Sequence, residues 1–397
     1  MQQKPKDTVP VGTDRRGSVQ PDWPAIAVVV LLAGVFAITQ GLTYPLLALV
    51  LEAQGISPTV IGLNTAMTPL GLLLSAPLLP VVARRFGPVR VALASAIGVA
   101  VLLALIGATR SLWIWFPARL LLGFAIDGLY ITCETWINQL APERLRGRIL
   151  GLFSSVLALG FASGPFVVAL AGTQGWTAFL VGIAIALASA ALVVAVRRRL
   201  PGLDGDEGAS LFAFLPLAPL LLLLVGAAAA FDQVTLSLLP VYALRIGLPE
   251  ALAAGTVGVL AIGNVLFQLP IGWLADRWSR SGTCLLLCGL TVAGAAALPL
   301  AADEQGLLWP LLFLWGSAAY GVYTLALVQL GDRFRGALLL AGNAAFALVW
   351  GLGGLVGPPL AGLFMDTLGP DGLPLLLGLL YAALFVAVAG RRQPRRP

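Results

Sequence analysis

The chain has 397 residues; 59% are hydrophobic, only 11% are charged, and the formal net charge is +6. A soluble domain carries about 25% charged residues, so a water-soluble globule is excluded. The apolar mass excludes disorder, and three cysteines exclude a disulfide scaffold. The positive balance does not mark a nucleic-acid partner, because the arginines are dispersed over many short loops.

Residues 1–24 are polar, lack the apolar stretch of a cleavable signal peptide, and are expected to form a disordered cytoplasmic tail. From residue 25 onward, apolar runs recur. A helix crossing the hydrocarbon needs about 20 apolar residues, and backbone in lipid must bond within itself. The runs predict twelve spans near 25–50, 59–80, 90–108, 112–135, 149–171 and 175–196, then 218–243, 251–272, 283–301, 307–329, 337–362 and 373–390. The strand-length alternation of an outer-membrane barrel is absent. The expected organisation is an all-α membrane protein with six-helix bundles over 25–196 and 212–390. A cytoplasmic linker over 197–211 joins them, and a basic tail covers 391–397.

Basic residues orient the spans. Of the 24 Lys and Arg, 21 fall in alternate loops and the two tails, including Arg84, Arg85, Arg90, Arg144, Arg146, Arg148, Arg197, Arg277, Arg280, Arg333 and Arg335. Arg110 and Arg245 lie on the other side and Arg119 lies within a span. The positive-inside rule places both termini in the cytoplasm, as an even number of spans requires. Taken alone, most of these arginines read as anchors and headgroup contacts.

The chain repeats itself. Glu143-Arg144-Leu145-Arg146-Gly147 returns as Asp332-Arg333-Phe334-Arg335-Gly336, offset by 189. Ala83-Arg84-Arg85-Phe86-Gly87 returns as Ala275-Asp276-Arg277-Trp278-Ser279, offset by 192. Gly160, Gly164 and Pro165 return as Gly353, Gly357 and Pro358, offset by 193. These small-residue faces suit close helix packing and a bend. Six spans return the chain to its starting side, so the repeat is parallel, a duplication that suits a rocking transporter.

Gly272-Trp273-Leu274-Ala275-Asp276-Arg277-Trp278-Ser279-Arg280 resembles the cytoplasmic loop motif G-x-L-A-D-R-x-G-R of the major facilitator superfamily of secondary transporters. Its partner between spans two and three is degraded: Arg84 stands where an acid is expected, and only Arg85, Gly87 and Arg90 keep the pattern. Arg119-Leu120-Leu121-Leu122-Gly123 is similar to the family's R-x-x-x-G motif, often assigned to proton coupling. Glu134-Thr135-Trp136-Ile137-Asn138, followed by Arg146-Gly147-Arg148, is similar to the YcaD-like branch of bacterial members. The resemblance implies two pseudo-symmetric six-helix bundles and a cavity lined by spans one, four and seven. It also implies a cytoplasmic gate, for which Asp276, Arg277, Arg280, Arg85, Glu143, Arg146, Asp332 and Arg335 are the candidates, with Glu143 set to pair with Arg146 and Asp332 with Arg335. A gate needs contacts that form in one state and break in another; the plainer alternative is a static topology anchor.

Four ionisable groups lie well inside spans: Arg119, Asp127, Glu134 and Asp232. A charge at a helix centre costs about 2.5–3.5 kcal/mol on insertion scales, so each needs a reason. Asp127 and Glu134 share a helix face, about 10.5 Å apart along the axis. Arg119 is expected within reach through its long side chain. Burial suits a carboxyl to proton exchange, and a nearby arginine opposes protonation; the alternative is interhelical hydrogen bonding without coupling. Gln40, Asn64, Gln233, Asn264 and Gln268 are candidates for the substrate path, with Asn264 and Gln268 on one helix face.

There is no histidine, no phosphate-binding loop and no nucleophile–base constellation, so neither an enzyme nor an ATP-driven pump is expected. No cofactor or metal is implied. The expected function is secondary transport of a small, amphipathic or lipophilic solute across the bacterial inner membrane by alternating access. Proton-coupled efflux is favoured, by a monomer in the lipid bilayer. The alternative is a non-transporting scaffold or receptor that keeps the fold.

Overall fold

A computed structural model describes residues 22–202, 214–302 and 304–390. The expected N-terminal tail up to residue 21, linker residues 203–211 and the C-terminal tail lie outside the described residues. Twelve α-helices among the described residues are long and apolar enough to cross a membrane. In chain order they are α1 (Trp23–Ala53), α2 (Pro58–Phe86), α3 (Pro88–Ala108), α4 (Leu112–Leu140), α5 (Arg146–Ala171), α6 (Thr177–Val196), α7 (Pro219–Arg245), α8 (Glu250–Arg277), α9 (Arg280–Ala301), α10 (Gln305–Arg333), α11 (Gly336–Leu368) and α12 (Gly372–Gly390).

Local chemistry sets several starts. Asp22 accepts from the Ala25 amide at 3.2 Å ahead of α1, and the Ser279 hydroxyl accepts from the Gly282 amide at 2.9 Å ahead of α9. Such caps occupy amides that have no partner inside the helix. Gly87 separates α2 from α3 at φ +86°, a conformation open to glycine, and Pro88 opens α3.

Several helices outrun their apolar stretches, because helical hydrogen bonding continues through polar residues once neighbours pack them. α4 reaches Leu140 rather than 135, and α11 runs to Leu368 rather than 362. α8 ends at Arg277, so Asp276 and Arg277 occupy its last turn rather than a loop beyond it.

The duplication is written most clearly in where backbones touch. On α5, a methyl group added at Gly160 would lie 2.7 Å from the Gly34 carbonyl oxygen of α1, and one at Gly164 would lie 2.3 Å from the Gly41 carbonyl carbon. On α11, a methyl at Gly353 would lie 2.4 Å from the Gly226 carbonyl oxygen of α7, and one at Gly357 would lie 3.0 Å from Ala230. The α2–α4 crossing, where Gly123 meets the Thr68 carbonyl and Gly71 the Leu120 carbonyl, matches the α8–α10 crossing. There Gly316 meets the Leu260 carbonyl and Gly263 the Phe313 carbonyl. The counterparts are 192 or 193 residues apart, except Gly41 and Ala230, which are 189 apart. Without glycine these helices could not approach to backbone contact.

The halves α1–α6 and α7–α12 meet along α1–α7, α2–α11 and α5–α8. Gly62 of α2 lies under the Pro358 carbonyl, and Gly362 of α11 lies under the Pro58 carbonyl. Both contacts are at the end of the molecule opposite the arginine-rich loops. Toward the arginine-rich end, α4 and α5 make no contact with α10 or α11.

Candidate functional site

Arg119 is buried in α4, with 1% of its surface exposed. Its Nε donates to the Thr68 hydroxyl at 3.2 Å and Nη1 to the Asn64 side-chain oxygen at 3.0 Å, both on α2. The guanidinium lies over the Tyr44 ring of α1 at 5.3 Å, a favourable cation–π position. Nη2 has no partner. Tyr44 itself clusters with Leu236 of α7 and Val257 of α8, so it spans the seam between halves.

Asp127 and Glu134, on the same helix, have different surroundings. Asp127 is buried and accepts a short hydrogen bond from Ser75 of α2. It makes no ion pair with Arg119, contrary to the expected influence of the arginine on it. The face expected to line the central cavity is met at Asp127 by Ser75 of α2. Glu134 is exposed. Asn138 donates to its backbone carbonyl at 2.8 Å and accepts from Arg146 at 3.3 Å, so the Glu134 carboxylate is left free of both. Tyr130, one turn before it on α4, corresponds in the repeat to Tyr323 of α10.

Asp232 is half-buried on α7. The Tyr320 hydroxyl of α10 donates to it at 2.8 Å and the Gln233 amide at 2.9 Å. Tyr320 stands at the repeat position of Asp127, and Asp232 at that of Gln40. The acid thus sits on the fourth helix in one half and on the first in the other. Gln40 is buried on α1. Asn64, expected on the substrate path, serves as a partner of Arg119. Gln268 donates to Asn264 at 3.2 Å, confirming their shared face. That face points away from the exposed apolar stripe of Ile262, Leu266, Leu269 and Trp273.

At the arginine-rich end, Arg280 bridges Asp276 at 2.7 Å and Asp332 at 3.2 Å. Two expected pairings are replaced. Arg277 stacks on Trp273 at 5.3 Å, and Asp332 binds Arg280 rather than Arg335, which donates to the Phe334 carbonyl. Arg146 binds Asn138 rather than Glu143. Arg85 lies over Phe86. The reason is geometric: the final turn of α8 and the start of α9 converge on the end of α10, all within one half. None of these contacts crosses between halves.

The crossings lie at the other end and were missed from sequence. Arg245, closing α7, holds Glu52 of α1 through two contacts of 2.8 and 3.2 Å. Asp366 of α11 accepts from the Thr59 amide at 2.9 Å and hydroxyl at 2.5 Å, at the N-terminus of α2. Glu250 of α8 accepts from the Thr173 amide at 2.6 Å and hydroxyl at 2.7 Å. Each helix pair of the seam has one carboxylate clasp. Glu52 and Arg245 are 193 residues apart, as are Thr173 and Asp366, so the clasps follow the repeat. That spacing, and the isolation of Arg245 from the other arginines, were the available signals.

The Major Facilitator Superfamily model matches residues 29–337. The chain belongs to this superfamily. It is 27% identical over 377 residues to the MFS-type transporter YfkF of Bacillus subtilis, covering 91% of this chain and 94% of that one. It is 24% identical over 292 residues to the MFS-type transporter YcaD of Shigella flexneri, covering 72% and 75%. Several YcaD relatives support the branch read from Glu134 and its neighbours. Among solved structures, the nucleoside transporter NupG superposes with a TM-score of 0.77 at 15% identity, over 94% of this chain and all of that one. A bacterial homologue of the human lysosomal transporter Spinster, inward-facing and occupied, gives 0.77 at 14% identity, over 92% and 94%. Membership makes this a multi-pass membrane protein of the secondary-transport class and not an enzyme.

Proposed function

We propose that the chain carries a small amphipathic or lipophilic solute out across the bacterial inner membrane by alternating access, coupled to protons. The halves 25–196 and 212–390 are the moving units, and both termini are cytoplasmic. The observation that carries this reading is the asymmetry of the seam. Among the described residues, every polar clasp between halves lies at the end away from the arginines, while α4 and α5 stand clear of α10 and α11 toward the other. This is the form open toward the cytoplasm. In the opposite form the clasps part and the Asp276–Arg280–Asp332 group, with Arg85 and Arg146 facing it, closes the inner end.

Coupling is assigned to Asp232 and Glu134, with Asp127 held in reserve on Ser75. Tyr320 and Gln233 both donate to Asp232, contacts that its protonation would weaken, so protonation would be tied to the packing of α7 against α10.

In a background lacking Cys133, Cys284 and Cys288, a cysteine at Glu134 is expected to react with a membrane-impermeant thiol reagent from the cytoplasmic face. A disulfide between T59C and D366C should hold that state, and reduction should release it. Reactivity at Glu134 unaffected by this crosslink would refute alternation. In vesicles, D232N is expected to lose solute-driven proton movement; undiminished movement in D232N, E134Q and D127N alike would refute the coupling.

A further inference from the structure

The unmet hydrogen-bonding capacity around Arg119 is mainly donor capacity. Arg119 Nη2 and Asn64 Nδ2 are buried without partners, and both only donate. The neighbouring Asn64 oxygen and Thr68 hydroxyl are already occupied by the guanidinium. The Thr65 hydroxyl, one residue along α2, is also buried without a partner and can donate. Among the described residues no ion pair includes Arg119. A buried cation lacking a counter-charge is costly, and a stacked tyrosine offsets only part of that cost. A cation beside free donors lacks an acceptor that bears negative charge. The planar guanidinium with an adjacent amide N–H suits the two oxygens of a carboxylate.

The surroundings limit what carries that carboxylate. Phe36 lies eight residues from Tyr44 along α1, about 12 Å at helical rise. It stacks on Tyr130 at 4.9 Å and meets Phe161 edge-on at 6.0 Å. We propose that Arg119 and Asn64 receive the carboxylate of an amphipathic organic acid whose apolar part lies along α1 toward Phe36 and Tyr130. This deepens the transport reading and rests on it. Tyr44 covers the site by packing on Leu236 and Val257 of the other half. Parting of the clasped end therefore uncovers Arg119 on the side where an exported acid is released, and in detergent solution the acid enters the site from that same side.

Thermal unfolding in an uncharged detergent at fixed pH tests this, with octanoate, octanamide and inorganic phosphate as probes. Binding raises the midpoint by mass action. Octanoate is expected to stabilise the wild type while octanamide and phosphate do not. Arg119→Gln should abolish the octanoate shift without lowering the ligand-free midpoint, because a buried charge is removed. Arg119→Lys, which keeps charge but not the fork, should weaken the shift. Asp366→Asn, which loosens a clasp, should raise the apparent affinity for octanoate several-fold, because the competent form becomes more populated. An equal response to octanamide or to phosphate overturns the proposal, as does an octanoate shift retained in Arg119→Gln or absent from both wild type and Asp366→Asn. If these fail while crosslinking at Thr59 and Asp366 still controls access to Glu134, only the substrate class is lost and alternation stands.

Discussion

The two ends of the molecule use charge differently. At the clasped end, Glu52, Asp366 and Glu250 each bind the opposite half. At the arginine-rich end, Arg280 gathers Asp276 and Asp332 within one half. The same residue types therefore hold the halves together at one end and brace a single half at the other. The count of ion pairs says little about closure; what matters is which helices each pair joins.

Backbone contact gives the largest expected difference between the ends. Gly362→Val would drive a side chain into the Pro58 carbonyl across the seam, and overpacking of this kind costs about 1–3 kcal/mol. Gly331→Val, near the arginine-rich end, meets nothing within 4 Å, and its stability should change by about 0.5 kcal/mol or less. Thermal midpoints of the two variants check this; equal losses would contradict a seam closed at one end.

A smaller effect is expected from the Glu52–Arg245 clasp. The pair is partly exposed, and such pairs are worth about 1 kcal/mol or less. E52R should raise the reactivity of a cysteine at Leu236 toward reagent from the clasped side, and the double exchange E52R/R245E should restore protection. Failure of the double exchange would remove the clasp from the account.

The smallest effect on stability is expected for Arg280→Gln, whose contacts are exposed and internal to one half. Its informative readout is the sign of the access change. If Arg280 helps to close the arginine-rich end in the opposite form, the variant depopulates that form and lowers reactivity at Leu236. A rise would contradict the gate role.

Spans, repeat and buried charges were legible because each depends on periodicity or composition along one chain. A carboxylate deep in an apolar run announces itself wherever its neighbours are. Asp127 shows the limit: helical spacing fixed its angle about the α4 axis but could not say that Ser75 of α2 waits there. Asp276 shows another, since hydropathy marks the edge of the hydrocarbon and not the end of a helix. The clasps were hidden because Glu52, Thr59 and Glu250 sit in the first or last turns of their helices and Thr173 just beyond α5, at the polar edges of the apolar runs, where solvated residues are expected. Their partners are distant in sequence, as with Thr59 and Asp366, which are 307 residues apart.

The most direct test of alternation is to measure electron spin–spin distances at both ends of one protein. Spin labels at Arg144 and Arg333 report the arginine-rich end, and labels at Arg110 and Asp371 report the clasped end. Recorded at two pH values and with octanoate, each pair should show two populations that change in opposite senses, one end shortening as the other lengthens. A single unchanging distance at both ends, or a change in the same sense at both, would contradict two halves rocking about a central site.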